Sequence, residues 1–132
     1  MKKEIQTSGK RKAARARAIL SSGSGEVLIN GKSLDSYSPY YLQMKIKEPL
    51  IIAGKDAEKV KIKISVMGGG VTGQAEAVRL VIARALSENN AALKEKFLAY
   101  DRNLLVADVR AKEPRKPNTH GKARSKRQKS YR

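Results

Sequence analysis

The sequence contains no cysteine, no tryptophan and one histidine among 132 residues. Without cysteine the chain forms no disulfide, holds no cysteine-ligated zinc and performs no thiol catalysis, which fits a reducing compartment. The one histidine, His120, lies in a polar segment near the C-terminus. A His-based catalytic triad or a His-rich metal site therefore lacks the residues it needs, and we predict no enzyme activity, no cofactor and no metal.

Long apolar runs are absent as well. No stretch approaches the ~20 apolar residues that cross a bilayer, and the N-terminal segment turns basic again where a signal peptide would be apolar. Aromatic residues make up only 5% of the chain, so the core must consist mainly of Ile, Leu, Val and Ala. We predict one soluble, cytoplasmic domain of ordinary size that does not bind a membrane.

Acidic residues are few in comparison with basic ones. The chain has 29 Lys and Arg against 12 Asp and Glu, for a net charge of +17, far more than solubility requires. The net charge is +6 over residues 1–17, +3 over 18–110 and +8 over 111–132. This distribution predicts a globular core at 1–110, an extended basic tail at 111–132, and a nucleic acid as the partner.

The tail contains no Val, Ile, Leu, Met or Phe. It therefore buries too little apolar surface to offset the entropy of ordering, and we predict that it is disordered when free. Two interpretations remain open. The tail is a solvated basic extension with nonspecific affinity, or it orders against phosphates, with Tyr131 stacking on a base and Arg132 contacting a phosphate.

The first 35 residues predict short antiparallel strands. Small and basic residues alternate over 14–18, which places alanines toward the core and Arg15 and Arg17 outside. Ser8-Gly9 predicts a break in the preceding extended segment, and Asn30-Gly31 favours a type I′ hairpin turn. Together these segments predict an antiparallel meander.

The rest of the core predicts helices and one clear strand. Ser38 predicts a helix cap, with Pro39 at the first position of a short helix that is interrupted near Pro49 and stopped by Gly54. Residues 59–66 alternate lysine or serine with apolar residues, the pattern of a strand with one buried face. Whether its lysines are merely solvated or contact RNA is left open.

Beyond residue 70 the apolar residues recur at helical spacing. This pattern predicts the main helix, with Arg79 on a side away from the core, and a second helix over 91–99 followed by an extended piece over 104–106. The whole predicts an α+β fold in two layers. The expected core positions of the main helix are Ala75, Val78, Ile82, Ala85 and Leu86.

The glycine motif Gly68-x-Gly70-x-x-Gly73 lies between that strand and the main helix. It meets part of a dinucleotide-binding fingerprint, but a doubly wound fold needs repeated strand–helix units, and a phosphate-binding loop needs Gly-Lys-Ser/Thr where Gln74 and Ala75 stand. Two interpretations are favoured over a nucleotide site. The motif is a tight turn that requires positive φ, or it lets an RNA backbone approach a helix N-terminus.

Five segments carry a resemblance to a known family: "TSGKRKAARARA", "GEVLING", "GGGVTGQAEAVRLVIARAL", "LVADVRAKEPRKPN" and "KARSKRQKSYR". Together, and in this order, they resemble the ninth protein of the small ribosomal subunit in its archaeal and eukaryotic form. The resemblance covers nearly the whole chain. It implies a two-layer α/β sandwich with a left-handed βαβ crossover, like the second domain of ribosomal protein five, and a structural role in translation.

The resemblance also implies partners. Members of the family bind small-subunit ribosomal RNA in the head of the subunit, beside other head proteins, and their C-terminal tail reaches the peptidyl-site tRNA. By matching motif, Lys129, Ser130, Tyr131 and Arg132 would approach that tRNA, with Arg132 closest. The resemblance and the charge pattern together predict RNA contacts at Lys10, Arg11, Lys12, Arg15, Arg17, Gly68, Gly69, Gly70, Thr72, Gln74, Arg115, Lys116, Lys122, Arg124, Lys126 and Arg127.

Three hypotheses about function therefore compete. The first is a structural RNA-binding protein of the ribosome. The second is a nucleotide-dependent enzyme that uses Gly68 to Gly73, and the third is a free basic nucleic-acid chaperone that is not retained on ribosomal subunits.

Overall fold

A five-stranded sheet forms the centre of the computed structural model, which describes residues 3–127. Its strands alternate between buried apolar residues and exposed polar ones, as expected for a sheet with one covered face. The strands are β1 (Ile5–Arg11), β2 (Ala14–Ser22), β3 (Val27–Ile29), β4 (Lys32–Ser33) and β5 (Val60–Met67).

The strand order is β1-β2-β5-β3-β4, so the predicted meander is wrong. β5 lies between β2 and β3, antiparallel to the first and parallel to the second. It is buried at every second residue over its eight-residue length, whereas β3 has only three residues. The central position lets the longer apolar strand pair its backbone on both sides, which explains why β2 pairs with β5 and not with β3.

Helices cover the buried face of the sheet. The longest, α3, packs against β1 and β2 and also against α1, and the core runs between this helix layer and the sheet. All five predicted core positions of α3 are buried, which confirms that prediction. The helices are α1 (Tyr40–Ala53), α2 (Lys55–Glu58), α3 (Val71–Asn89) and α4 (Ala92–Tyr100), with 3₁₀ turns at Leu34–Ser36 and Arg102–Leu104. Within residues 3–127, none of these helices has the length and apolarity to span a membrane.

Helix α1 differs in two details from the expectation. Its N-cap is Pro39 in an extended conformation, not Ser38, and the helix continues through Pro49 to Ala53. The interruption predicted near Pro49 is wrong because this proline is buried in the helix layer, where packing offsets the hydrogen bond it cannot donate. The predicted stop is confirmed, since Gly54 ends the helix with φ of 58°.

The hairpin β1–β2 turns four residues later than expected. β1 runs straight through Ser8 and Gly9, and the turn falls at Lys12-Ala13, with Lys12 at φ 54°. Gly9 serves packing instead of a break: a Cβ there would lie 2.8 Å from the Leu80 side chain on α3. The Asn30-Gly31 turn is confirmed, with φ of 50° and 81°.

Two further boundaries are corrected near the end of the core. Helix α4 runs one residue later than the predicted 91–99, and the extended piece expected over 104–106 begins as the 3₁₀ turn Arg102–Leu104. The carboxylate of Asp101 caps this turn by accepting a hydrogen bond from the Asn103 N–H at 3.0 Å. Such local side-chain capping favours a turn over extended chain.

The described part of the tail, 111–127, contains neither a helix nor a multi-residue strand. A single antiparallel bridge joins Thr119 and Lys126, and Arg124 forms an ion pair with Glu113. The disorder of the free tail stays a prediction.

Candidate nucleic-acid interface

The sheet face opposite the helices is uncovered and basic. We call it the open sheet face, meaning the outward positions of β1, β2 and β5. Each of these positions follows from strand alternation, which turns the residues between the buried ones outward. They are Gln6, Ser8, Lys10, Arg15, Arg17, Ile19, Ser21, Lys61, Lys63, Ser65 and Met67, and none is a carboxylate.

Strand register brings the predicted cations together on this face. Lys10 of β1 lies directly opposite Arg15 of β2, and Arg17 lies between Ser8 and Ser65. Like charges directly opposite each other destabilise a sheet pair. Because no outward position of these strands supplies a compensating carboxylate, this arrangement is suited to a polyanion lying across the strands.

The glycine loop folds tightly against the β1–β2 turn. Gly68 and Gly69 have φ of 77° and 68°. A Cβ at Gly68 would lie 2.8 Å from the Ala13 carbonyl oxygen, and one at Gly69 would lie 2.8 Å from the Ala14 nitrogen. The interpretation as a tight turn with positive φ is therefore confirmed, and the space around these two glycines is taken by the protein's own backbone.

Gly70 differs from the other two glycines of this loop. A Cβ there would meet nothing within 4 Å, and its φ of -94° is ordinary. If an RNA backbone approaches the loop, it does so at Gly70 and at the neighbouring Thr72, which is exposed. Gln74, by contrast, is half-buried, and its side-chain amide donates a hydrogen bond to the Gly68 carbonyl at 3.0 Å, which closes the loop.

Helices α1 and α3 begin at the same end of the molecule as this loop. Lys45 on α1 contacts Glu76 on α3, and Glu48, three residues further along α1, contacts Arg79, three residues further along α3. The two helices therefore run parallel. Neither helix has a side-chain cap or an acidic residue in its first turn. Their first backbone N–H groups therefore lack side-chain partners and can donate to an anion.

We call this end the basic pole, defined by the β1–β2 turn with Lys10 and Lys12, the loop Gly68–Gly70, and the first turns of α1 and α3. It adjoins the open sheet face at Arg15, which is the register partner of Met67. The two surfaces thus form one continuous region.

Two tyrosines on the basic pole were missed by sequence reasoning. Tyr40 and Tyr41 in the first turn of α1 are 70% and 67% exposed. Aromatic faces of this kind stack on unpaired RNA bases. A signal was available, because the apolar spacing of Leu42 and Ile46 defines the buried side of α1 and leaves both tyrosines off it.

Arg11 is bound by carboxylates of the protein. Strand phase turns it to the helix side, where its Nε lies 2.6 Å from Glu76 and its guanidinium 3.6 Å from Asp108. Lys45 reaches the other oxygen of Glu76 at 3.0 Å. Burial alone would raise the pKa of Glu76, but hydrogen bonds from Lys45 and Arg11 outweigh it and lower that pKa below its ordinary value. The guanidinium of Arg11 is thus already paired with two carboxylates of the protein. Its contact with RNA stays a prediction.

Arg79 is buried, so the prediction that it lies away from the core is wrong. Its guanidinium donates to Glu48 at 2.6 and 3.0 Å and reaches Asp101 at 3.3 Å. Two donors of the guanidinium converge on one oxygen of Glu48, and these charge-assisted hydrogen bonds, with the contact to Asp101, compensate for the removal of its charge from water. These groups line a cleft of about 450 Å³. Among residues 3–127, no cluster of His, Asp or Glu is arranged to hold a metal ion.

The tail starts at the basic pole. Arg84 holds the preceding segment beside β1 by donating to the Ser8 carbonyl at 2.8 Å and to the Leu105 carbonyl at 3.0 Å. Further along, Arg11 donates to the Arg110 carbonyl at 3.4 Å. The chain is therefore directed along the edge strand toward the pole before residue 111.

The predicted RNA and tRNA contacts of the tail fall into three groups. Five are exposed, namely Arg115, Lys116, Lys122, Lys126 and Arg127. Arg124 is exposed but paired with Glu113, whose pKa this hydrogen bond lowers. The predicted tRNA contacts at Lys129, Ser130, Tyr131 and Arg132 lie outside the described residues.

Comparison with known proteins matches the chain over nearly its full length. The family model described as ribosomal protein S9/S16 matches residues 9–132. Three curated proteins of Methanococcus maripaludis, from strains C7, C5 and S2, are each named "Small ribosomal subunit protein uS9". Each is 47% identical to this chain over 133 residues, which covers 98% of this chain and 99% of the relative.

Proposed function

The chain belongs to the ribosomal protein S9/S16 family, and from this premise we propose that it binds small-subunit ribosomal RNA through the open sheet face and the basic pole. Membership makes the chain a structural component of the small ribosomal subunit and not an enzyme. The hypothesis of a nucleotide-dependent enzyme is therefore wrong. A free nucleic-acid chaperone is disfavoured, because it would not be retained on the subunit.

The observation that carries the proposal is the charge on the open sheet face. Its outward positions include Lys10, Arg15 and Arg17 without a carboxylate among them. In the free protein the opposed Lys10 and Arg15 repel each other. Phosphates placed between these side chains replace that repulsion with attraction. They also release counterions, which favours binding further.

The basic pole supplies contacts of a different kind. Gly70 and the uncapped first turn of α3 offer backbone N–H groups to a phosphate, while Tyr40 and Tyr41 offer faces to unstacked bases. Sheet and pole thus support recognition of folded RNA that has both backbone and single-stranded elements.

The tail extends the same function. Because it leaves the core at the basic pole and carries a net charge of +8 over 111–132, we propose that it continues along ribosomal RNA to the peptidyl-site tRNA. Lys129, Ser130, Tyr131 and Arg132 would then contact that tRNA, with Arg132 closest. We further propose that the chain lies in the head of a cytoplasmic small subunit beside other head proteins, and that the free tail is disordered.

The family resemblance also supports a left-handed β3–α1–β5 crossover. β3 and β5 are parallel, and α1 lies between them in the chain, so the three elements form a βαβ unit. We include this handedness in the proposal.

The RNA contact is tested by a matched pair of double variants. Arg15→Gln with Arg17→Gln removes two cations from the open sheet face, while Lys94→Gln with Lys96→Gln removes two exposed cations from α4 in the helix layer. Affinity for a small-subunit ribosomal RNA fragment is measured as a function of salt. Each lost phosphate contact should reduce the slope of log affinity against log salt by roughly 0.7 to 0.9.

The sheet variant should therefore bind more weakly, and its slope of log affinity against log salt should be smaller by about 1.5, because two phosphate contacts are lost. The α4 variant should keep the affinity and the slope of the parent protein. Equal losses in the two variants would mean that only total charge matters, and the assignment to the open sheet face would fail.

A further inference from the structure

A groove lies at the end of the molecule opposite the basic pole, and the function proposed above does not use it. It has a volume of about 540 Å³ and runs between the loop before β3, the first 3₁₀ turn, the last turn of α1 and α2. Its position follows from topology. β5 starts here at Val60 and ends at the glycine loop, so the two surfaces are separated by the length of that strand.

The floor of the groove is apolar and uncovered. Ile51 on α1 is 73% exposed, and Leu50 and Ala57 beside it are only partly buried. Val27 and Leu34 continue the apolar lining into the core. Burying an exposed branched aliphatic side chain removes apolar surface from water and is favourable, so this floor favours a partner with an apolar side chain.

The rim of the groove is acidic, in contrast to the rest of the chain. Glu26, Asp35 and Glu58 line it together with one cation, Lys47. Lys47 lies 3.2 Å from Asp35, and Lys61 lies 2.9 Å from Glu26, so both of these carboxylates are paired in part. Glu58 is exposed on the short helix α2. In a protein with a net charge of +17, a groove lined by three carboxylates and one lysine disfavours an RNA phosphate and favours a cationic partner.

We propose that this groove docks a basic peptide segment of another small-subunit protein, with an apolar side chain seated on Ile51 and its flanking Lys or Arg residues facing Glu26 and Glu58. Charge complementarity selects this occupant. Phosphates would face the carboxylates, and the chain's own tail leaves the core at Arg110, at the other end of the molecule. The inference goes beyond RNA binding, since it assigns a protein partner to a surface that the RNA-binding proposal does not use.

The experiment places a photoreactive benzophenone side chain at Ile51 in the full-length protein, which is then reconstituted into small ribosomal subunits and irradiated. Mass spectrometry identifies the cross-linked partner. The expected product is a Lys- and Arg-rich segment of a neighbouring protein. Cross-linking to RNA, to this chain's own tail or to a segment without excess basic residues overturns the proposal, and so does the absence of a cross-link in assembled subunits.

A charge-reversal pair tests the role of the rim. In the benzophenone background, Glu58→Lys should lower the yield of the peptide cross-link about fivefold, in line with the loss of a pair worth up to about 1 kcal/mol. Glu95→Lys on α4, which is also exposed but outside the groove, makes the same change in net charge and should leave the yield unchanged. Equal yields in the two variants overturn the proposed role of the rim.

A second probe position separates this inference from the RNA-binding proposal. Benzophenone at Tyr41 on the basic pole should cross-link to ribosomal RNA. Failure at Tyr41 alone counts against the RNA-binding surface, and failure at Ile51 alone counts against the peptide groove.

Discussion

At the residue scale, neighbouring positions of one basic run have different tasks. Lys10 and Lys12 are exposed, whereas Arg11 between them points to the helix layer and pairs with Glu76 and Asp108. Strand alternation turns Lys10 and Arg11 to opposite sides of the sheet, and Lys12 lies in the turn after the strand. A run of basic letters is therefore not a uniform RNA-binding motif, and its members should respond differently to substitution.

Gly69 and Gly70 provide a sharp contrast in stability. Gly69→Ala forces a Cβ into a φ of 68° and to 2.8 Å from the Ala14 nitrogen. We expect a loss of about 1 to 3 kcal/mol in the free energy of unfolding. Gly70→Ala meets open space at φ -94°, and its effect should stay within about 0.5 kcal/mol. Urea denaturation of both variants measures the difference, and similar losses would contradict the tight-turn assignment.

Tyr41 tests whether bases stack on the basic pole. Tyr41→Leu keeps an apolar side chain but removes the aromatic face, and it should weaken RNA binding by about 1 kcal/mol or more. Tyr41→Phe keeps the face and should bind like the parent. Because no cation is removed, the dependence of affinity on salt should be the same in all three proteins. A weaker Tyr41→Phe would instead point to the hydroxyl.

At the element scale, α1, α3 and the segment before the tail are joined by ion pairs between residues far apart in the chain. Glu76 on α3 binds Lys45 on α1 and Arg11 on β1, and Asp108 also reaches Arg11. Arg110 lowers the pKa of Asp108 through hydrogen bonds to its carboxylate. This network determines where the tail leaves the core.

The lowered pKa of Glu76 predicts how stability depends on pH. Its ionised form is favoured in the folded state, so its contribution is present above the ordinary carboxyl pKa of 4.5 and is lost as the pH falls through the lower pKa of the folded state. Glu76→Gln should therefore destabilise the protein at pH 7 by more than at pH 3. Glu95→Gln on the exposed side of α4 serves as the control. Its effect on the free energy of unfolding, measured by urea denaturation, should be the same at pH 7 and pH 3.

Strand and helix faces were predictable, but their arrangement was not. The alternation in β2 and β5 and the spacing of Ala75, Val78 and Ile82 are local signals, and the structure confirms them. The insertion of β5 between β2 and β3 depends on pairing between residues far apart in the chain, such as Ala18 with Ile64, which are 46 positions apart. Local propensity contains no information about such a pairing.

The same reason explains the errors at single residues. The predicted break at Gly9 is wrong because the contact of Gly9 with Leu80 on α3 is not visible from neighbouring residues. Helical spacing predicts Arg79 off the apolar side of α3, and its partners Glu48 and Asp101, which lie 31 and 22 residues away, are not visible from that spacing. Of the candidate site, the outward cations of β2 were predicted from the pattern, whereas their continuity with Tyr40 and Tyr41 required the fold.

At the scale of the whole molecule, charge and chemistry are separated along its length. The cations and tyrosines of the proposed RNA interface gather at one end and on the open sheet face, and the acid-lined groove occupies the other end. The tail adds a net charge of +8 to a core that folds around its own apolar cluster. None of residues 111–127 belongs to that cluster.

Deletion of residues 111–132 should therefore leave thermal unfolding of the core nearly unchanged and weaken retention of peptidyl-site tRNA on reconstituted subunits. If about six tail cations reach phosphates, log affinity of the full chain for RNA should fall against log salt with a slope of about -4 or steeper, and the deletion should flatten it. A collapse of the core on deletion would show that the tail is part of the folded unit.

The parallel course of α1 and α3 has a consequence for how the protein meets its RNA. Each helix carries a dipole with about half a positive charge at its N-terminus, and because both helices start at the basic pole their dipoles add instead of cancelling. Glu26 and Glu58 at the far end extend the same charge separation over the length of the molecule. The electric field of an RNA exerts a torque on this dipole and turns the approaching protein so that its basic pole faces the RNA. Encounters should therefore begin in the correct orientation, before any side chain touches a base.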